Sequence, residues 1–383
     1  MENGSNPTLV VYGAGNIGRG IISLLFQNAG YHLLFYRRDS RALREMKARG
    51  GYRVRIQGTG AEQDTEIKNF DILEDEQALI RALSSHSLAV CALYPSAFPE
   101  VAKTLAEVCR IRSERNDPKS LNLLLCCNEP GGAQLLRSLL EKALKQNGCL
   151  GLECLIGIVP VLVYSVGFHT PDGGPYDMTV SENGRLDAER DSFLGTPGRI
   201  PGLCWVEGVD RKLYRKLYLG NMFHTFAALL GAEKGYSRIS QCYEDQNIRQ
   251  LARQAFVQSE TAVLKQWQFD REEHARWRVM MLAKMDVPSA DDVERVLKDL
   301  PRKLRKEDRL VGPALLCIQQ GCPCDCLVYA VALALGRLGE QKPEVQGALA
   351  QDAAGTIAAL CGLDKEEPAQ RRLIQRIVQR LQK

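Results

Sequence analysis

Short apolar runs and longer amphipathic stretches alternate over the first third of the chain. Residues 9–12, 33–36, 88–93 and 121–126 are almost wholly apolar and of strand length, while residues 76–83 and 98–109 space their apolar side chains as helices do. Continuous apolar strands separated by helices predict a parallel sheet covered on both faces, because a strand buried on both sides has no polar face to show. Residues 52–58 alternate with period two and predict an added, half-exposed strand. Past about residue 205 the pattern turns helical, over residues 214–230, 244–266, 291–300, 314–318 and 328–335. Leu373, Ile374, Ile377, Val378 and Leu381 then fall at helical spacing with Arg371, Arg372, Arg376 and Arg380 between them, the pattern of an amphipathic surface helix. The chain reads as α/β over residues 1–200, a doubly wound parallel sheet, and as a mostly α-helical domain over residues 201–383.

The first strand runs into Gly13-Ala14-Gly15-Asn16-Ile17-Gly18, and a helix-like stretch with Ile21, Ile22, Leu24, Leu25 and Phe26 follows. Strand, glycine-rich turn and helix in that order form a dinucleotide-binding fingerprint and make the first domain Rossmann-like. Gly13 permits the tight turn, Gly15 lets backbone approach a pyrophosphate, and Gly18 lets helix and strand pack closely. The helix N-terminus then faces the anion. At the end of the second strand the chain reads Tyr36-Arg37-Arg38-Asp39. A carboxylate at that point bonds ribose hydroxyls, whereas arginine accommodates a 2′-phosphate. Arg37 and Arg38 therefore favour NADP over NAD, with Asp39 the residue that could still serve NAD.

Bulk properties narrow the picture. The 383 residues are enough for two domains. A net charge of +4 with basic and acidic residues interspersed gives no case for nucleic acid. No apolar run reaches membrane-spanning length and no basic-then-apolar leader opens the chain, so a cytoplasmic protein without membrane contact is expected. Thirteen cysteines, an odd number mostly inside apolar runs, suit buried reduced thiols. The cluster Cys322-Pro323-Cys324-Asp325-Cys326 has one-residue gaps and no second half, which is poor zinc spacing. No metal site is expected.

The segment 216–224 carries the chemistry. On a helix turning about 100° per residue, Asn221 lies about 140° and His224 about 80° around from Lys216, so all three share one broad face. An amine, an amide and an imidazole can together move a proton, hold an oxyanion and orient a hydroxyl. Beside a dinucleotide fingerprint, that set suits an alcohol–carbonyl oxidoreductase.

With these motifs in order, the chain resembles the polyol-specific long-chain dehydrogenases (the mannitol dehydrogenase family), and within them the mannitol-1-phosphate 5-dehydrogenase group. Residues 13–20 resemble that group's N-terminal signature, residues 52–58 its exposed strand, and residues 292–310 its C-terminal signature. Lys216, Asn221 and His224 match the family's Lys-x4-Asn-x2-His motif. The resemblance implies Lys216 as general acid/base, Asn221 and Asn128 as donors to the reacting oxygen, and His224 as the group that orients substrate. Cys127 stands where the family has an acid before the asparagine. It further implies a small phosphorylated substrate, held by Arg302 and Lys303, in a cleft between the domains of a monomer or small homo-oligomer. Ile156 and Gly157 replace an Asp-Arg pair of the family, which implies altered reading of substrate hydroxyls. A reductase of another polyol, ketose or keto acid, and a cofactor-binding relative with little turnover, stay open as alternatives.

Overall fold

A computed structural model describes residues 6–57, 63–115, 119–127, 129–165, 167–170, 172–181, 184–283 and 291–382. The chain divides into two compact units, the first ending at Leu213 and the second beginning at Tyr214.

The first unit is built on an eight-stranded sheet. Its strands are β1 (Thr8–Tyr12), β2 (His32–Tyr36), β5 (Phe70–Leu73), β6 (Leu88–Cys91), β7 (Leu121–Leu125), β8 (Ile156–Val163), β11 (Leu186–Glu189) and β12 (Leu203–Val206), ordered β12-β11-β8-β7-β6-β1-β2-β5. Every pairing is parallel except β11 with β8. Strand alternation divides the core into two layers. Leu9 and Val11 of β1 pack into one, with Leu33 and Phe35 of β2; Val10 and Tyr12 pack into the other, with Leu121, Leu123 and Leu125 of β7. Helices α1 (Ser23–Asn28), α2 (Arg41–Ala48), α3 (Glu76–Ser85), α4 (Phe98–Ser113) and α5 (Gly132–Gln146) make the crossovers. The Asp75 carboxylate caps α3, accepting from the Ala78 N–H at 2.7 Å, an interaction that contributes about 1 kcal/mol.

The period-two segment is β3 (Tyr52–Gln57), paired with β4 (Gln63–Ile67) in a separate four-stranded sheet, order β4-β3-β10-β9. Its other neighbour β10 (Met178–Ser181), and β9 (Gly167–His169) beyond it, arrive from more than a hundred residues away. β3 faces the glycine-rich helix: the Tyr52 hydroxyl donates to the Arg19 carbonyl at 2.8 Å and meets Ser23 Oγ at 2.9 Å.

The second unit is helical. The chain enters it within α6 (Val209–Arg215) and continues through α7 (Met222–Glu233), α8 (Ile239–Glu244), α9 (Gln246–Gln266), α10 (Arg271–Ala283), α11 (Val293–Leu297), α12 (Leu300–Lys303), α13 (Val311–Gln319), α14 (Asp325–Gln341), α15 (Pro343–Gln351), α16 (Ala353–Cys361) and α17 (Pro368–Leu381). α17 has the amphipathic form its spacing predicts, with Leu373, Ile374 and Ile377 buried. No helix among the described residues is long and apolar enough to cross a membrane.

Candidate active site

In the first unit the strand order reverses at β1. The chain moves from β1 to β2 and β5 on one side, then to β6, β7 and β8 on the other. Ligands bind open α/β sheets at the carboxyl ends of the strands beside such a switch point, and the glycine turn lies there. Gly13, at φ +108°, is held between strands: its N–H donates to the Tyr36 carbonyl at 3.1 Å, and a Cβ would stand 2.7 Å from the Ala92 carbonyl oxygen. At Gly18 a Cβ would lie 2.3 Å from the Gly13 oxygen, so only glycine closes the turn. Gly15 differs, with no atom within 4 Å of where its Cβ would be. Open space over one glycine, flanked by two that are locked, is the cradle a pyrophosphate needs, so these residues fit a dinucleotide. Ala14 is buried beneath the turn, while Asn16 is exposed and Ile17 half-buried.

The helix after the turn begins with a π-turn, Gly18–Ile22, before α1. A π-turn frees carbonyls from the α-helical ladder. Here Ser23 Oγ donates back to the Gly18 oxygen at 2.6 Å and Tyr52 covers the Arg19 oxygen.

Arg37 and Arg38 are both exposed just beyond β2. Arg38 donates to the Glu100 carboxylate in the first turn of α4. Asp39 accepts from the Arg41 N–H at 3.1 Å at the start of α2.

In the second unit, Lys216 and Asn221 bound another π-turn, Lys216–Asn221, between α6 and α7. With α-helical turns throughout, Asn221 would lie about 140° around from Lys216. An i→i+5 turn brings Asn221 nearer to alignment with Lys216 than the α-helical angle does. Lys216, Asn221 and His224 are half-buried, while Leu217, Tyr218, Leu219, Gly220, Met222 and Phe223 are all buried. The three polar groups therefore occupy the less covered side of an otherwise internal helix.

Its surroundings hold the π-turn in place. Ser259 Oγ donates to the Tyr218 oxygen at 2.8 Å, satisfying a carbonyl in the turn. Arg215, fully buried, makes two bonds of 2.7 Å to Glu273 and lies 4.6 Å from the ring centres of both Phe269 and Trp277. A buried guanidinium held by a bidentate carboxylate between two aromatic faces fixes the backbone next to Lys216.

His224 is bonded through both ring nitrogens. Nδ1 lies 2.6 Å from the Tyr243 hydroxyl and Nε2 3.2 Å from Asp291 Oδ2. Arg295 also donates to Asp291. Burial pushes the Asp291 carboxyl up, but the bonds from His224 and Arg295 prevail and hold it at about 2. An ionised carboxylate only accepts, so Nε2 carries a proton toward it, and in the tautomer with its single proton there Nδ1 accepts from the Tyr243 hydroxyl. Sequence spacing gives no sign of Tyr243, Asp291 or Arg295, which come from α8, from the residue before α11's cap, and from α11. Asn128 lies outside the described residues.

Arg302 and Lys303 close α12. Arg302 donates to Asp299 at 3.0 Å and to Asp308 at 2.8 Å. Lys303 is buried, with its amine on the Lys298 carbonyl, and burial, then Arg309 and Arg302, lower its pKa to about 8.

Ile156 and Gly157 correct one expectation. They open β8 alongside Leu121 and Asn122, at the amino-terminal edge of the sheet, opposite the glycine turn. Ile156 is core, and a Cβ on Gly157 would stand 2.3 Å from Asn122 Oδ1. Neither position reads a ligand at the carboxyl-terminal edge.

The cysteines are free. Cys324 Sγ accepts from Arg376 at 2.9 Å, and no three His, Cys, Asp or Glu side chains among the described residues are placed to hold a metal ion.

Residues 7–163 match the mannitol dehydrogenase Rossmann domain, and residues 209–359 match the mannitol dehydrogenase C-terminal domain. The fold is similar to that of Pseudomonas fluorescens mannitol 2-dehydrogenase, solved with NAD and D-mannitol, at a TM-score of 0.77 and 15% identity over 99% of this chain and 92% of that one. A D-sorbitol dehydrogenase in substrate-free form gives 0.74 at 15% identity, over 99% and 93% of the two chains. The 2-dehydropantoate 2-reductase of Geobacter metallireducens GS-15 gives 0.55 at 15% identity, over 85% and 98%. At such identity the three are likenesses of fold. The two domain matches go further: they fall in order on the sheet unit and the helical unit, and the chain belongs to the mannitol dehydrogenase family, a family of nicotinamide-dependent polyol oxidoreductases.

Proposed function

We propose that this protein interconverts a polyol phosphate and a ketose phosphate, of the mannitol 1-phosphate and fructose 6-phosphate type, with NADP(H) preferred over NAD(H). The observation that carries the reading is the trio Lys216, Asn221 and His224, half-buried at a π-turn whose other residues are buried. The division of labour follows the two domains of the sequence reading, dinucleotide on residues 1–200 and substrate on residues 201–383. The turn Gly13–Gly18 holds the pyrophosphate. A nicotinamide bound there supplies the hydride in reduction and accepts it in oxidation. Lys216 delivers the proton to the carbonyl oxygen in reduction and removes it from the hydroxyl in oxidation. Asn221 and Asn128 donate to that oxygen while it carries negative charge, which is the state such donors stabilise most. His224 turns the substrate hydroxyl toward Lys216. No metal ion takes part in the proton transfer.

For the remote end of the substrate, Arg302 and Lys303 are the proposed anion ligands. Arginine's fork suits phosphate oxygens, and phosphate binding there exchanges the Asp299 and Asp308 carboxylates for a dianion. The same two ion pairs favour a second reading, an uncharged polyol or ketose as substrate, since Arg302 is already neutralised.

A reduction screen over fructose 6-phosphate, fructose and 2-keto acids with NADPH and NADH separates these readings. Fructose 6-phosphate should react far faster than fructose, and Arg302→Ala should erase the difference. Lys216→Ala should lower kcat by roughly 10²-fold or more, with the dissociation constant for NADPH within about threefold of the parent. Equal rates for sugar and ester would favour the uncharged substrate. Near-normal turnover of Lys216→Ala would remove Lys216 from the mechanism.

A further inference from the structure

The basic pair at the end of β2 is not electrostatically uniform. Arg38 is already paired: its guanidinium rests on Glu100, with side-chain exposures of 82% and 60%. Arg37 has no hydrogen bond or ion pair among the described residues. A third guanidinium, outside the Tyr36–Asp39 segment, feels its charge. Arg19 directly follows the last glycine of the fingerprint and lies inside the π-turn Gly18–Ile22. Its side chain is half-buried, and its Nε is buried without a hydrogen-bond partner. The only bond its head group makes among the described residues is from one terminal nitrogen to the Met46 sulfur at 3.7 Å. A thioether is a weak acceptor, so a half-buried guanidinium with an unpartnered Nε and only sulfur as its acceptor is left under-bonded. Burial lowers the Arg19 pKa most, Tyr52 opposes this, and the charge of Arg37 nearby lowers it further.

The neighbouring acids are engaged elsewhere. Glu100 accepts from Arg38, and Glu74 accepts from Arg44 at 2.7 Å and from Ser40 at 3.3 Å. Asp39 accepts from the Arg41 N–H, and Glu45 from the Tyr176 hydroxyl. Two like charges, one of them partly desolvated, thus repel each other, while these acids accept bonds from other groups. Such an arrangement is unfavourable by itself and becomes favourable when an anion joins it. It stands beside the glycine turn, on the side reached by β2 and α2, where a Rossmann-type sheet receives the adenosine ribose.

We propose that Arg19 and Arg37 form the site that grips the 2′-phosphate of NADP, while Arg38 is held away from it by Glu100. The inference rests on the dinucleotide reading and deepens it: it moves the phosphate grip from the sequential pair Arg37–Arg38 to a pair drawn from the first helix and the end of β2. The π-turn gives this a structural cause, because the extra residue in the turn changes the direction in which residue 19 projects from the helix.

Fragments of the cofactor test it without turnover. Binding of adenosine 2′,5′-bisphosphate and of adenosine 5′-monophosphate to the full chain is measured by titration calorimetry. Inorganic phosphate serves as competitor, to separate a nucleotide site from a general anion site. The parent should bind the bisphosphate about tenfold or more tightly than the monophosphate, the scale of one charge-assisted hydrogen bond. Arg19→Met, which keeps an unbranched aliphatic stem and removes the guanidinium, and Arg37→Ala should each bring that ratio close to one while monophosphate affinity holds. Arg38→Ala should change the ratio less than about threefold. Inorganic phosphate should displace the bisphosphate only at far higher concentration than the nucleotide itself. Loss of the preference in Arg38→Ala with retention in Arg19→Met and Arg37→Ala would overturn the assignment. So would displacement by inorganic phosphate at equal concentration. Equal binding of both fragments by the parent would defeat this inference and leave the dinucleotide reading standing. Binding of neither fragment would defeat both.

Discussion

At the scale of single residues, His224 shows what sequence spacing reaches and what it does not. The Lys-x4-Asn-x2-His pattern locates the side chain, but its behaviour depends on Tyr243 and Asp291, far along the chain. With both nitrogens bonded, the ring is fixed in orientation, and Asp291 and Tyr243 act as positioning residues. The Asp291 carboxyl, held at about 2 against the ordinary value of about 3.9, makes a pH-dependent contribution whose sign is defined. A depressed carboxylate stabilises fully above its unfolded value and loses that contribution as pH falls toward its folded value. Asp291→Asn should therefore lower the urea midpoint by a constant amount from neutral pH down to about pH 5. The gap should narrow below about pH 4, and its full size should be on the order of 2 kcal/mol. A gap independent of pH down to about pH 2 would show that the charge is not responsible. At neutral pH the same variant should lower kcat more than it raises KM for the sugar, because a loosened ring misorients substrate after it has bound.

At the scale of elements, both functional helices depart from α geometry where chemistry is expected, at Gly18–Ile22 and at Lys216–Asn221. Apolar spacing locates each helix, but it cannot place an extra residue in a turn, because the residues that stabilise it, Tyr52 and Ser259, lie on other elements. The basic run at α12 is a related case. The resemblance implies that Arg302 and Lys303 face a substrate, yet Lys303 is buried, with a pKa lowered to about 8 chiefly by that burial. A lysine lowered from the usual value of about 10.4 is a net cost to the fold while charged. Below about pH 8 both folded and unfolded chains hold the proton and the cost is complete. Between about pH 8 and 10.4 the folded chain releases it first, so stability from this group rises with pH. Lys303→Met should therefore be more stable than the parent at pH 7, by up to roughly 3 kcal/mol, and the advantage should shrink toward pH 10. Urea midpoints at the two pH values check this. A variant less stable than the parent at pH 7 would mean that the Lys303 bond to the Lys298 carbonyl outweighs its desolvation.

At the scale of the whole molecule, the parallel strands are legible because burial on both faces leaves an unbroken apolar run, as at β1 and β7. The strands β9 to β12 are not, since short pieces such as Gly167–His169 gain their partners only through the fold. The glycine turn is legible for a related reason: Gly18 is dictated by the Gly13 oxygen within one strand–helix unit, and Gly13 by its positive φ and the neighbouring strand ends at Tyr36 and Ala92. Arg19 escapes the motif because its meaning depends on Met46 and Arg37. The thirteen thiols turn this difference in burial into a measurement. Cys154 is exposed, whereas Cys91 and Cys109 are buried, each pushed up to about 12, chiefly by burial. Only the thiolate reacts, so at pH 8 a buried thiol at that value must wait for the structure to open. Labelling with a disulfide reagent, mapped by peptide mass, should reach Cys154 in the first phase, and Cys154→Ser should remove that site from it. Cys91 in β6 and Cys109 in α4, both in the same core layer of the first unit, should label slowly, at a rate proportional to opening. A dinucleotide bound to the folded sheet alone, at about a hundred times its dissociation constant, reduces the open population about a hundredfold. NADPH should thus slow Cys91 and Cys109 by roughly that factor and leave Cys154 unchanged. Labelling of Cys91 as fast as Cys154 would mean that the sheet opens far more readily than its core implies. Slow labelling that NADPH does not retard would mean that the dinucleotide does not bind to the sheet holding Gly13, Gly15 and Gly18.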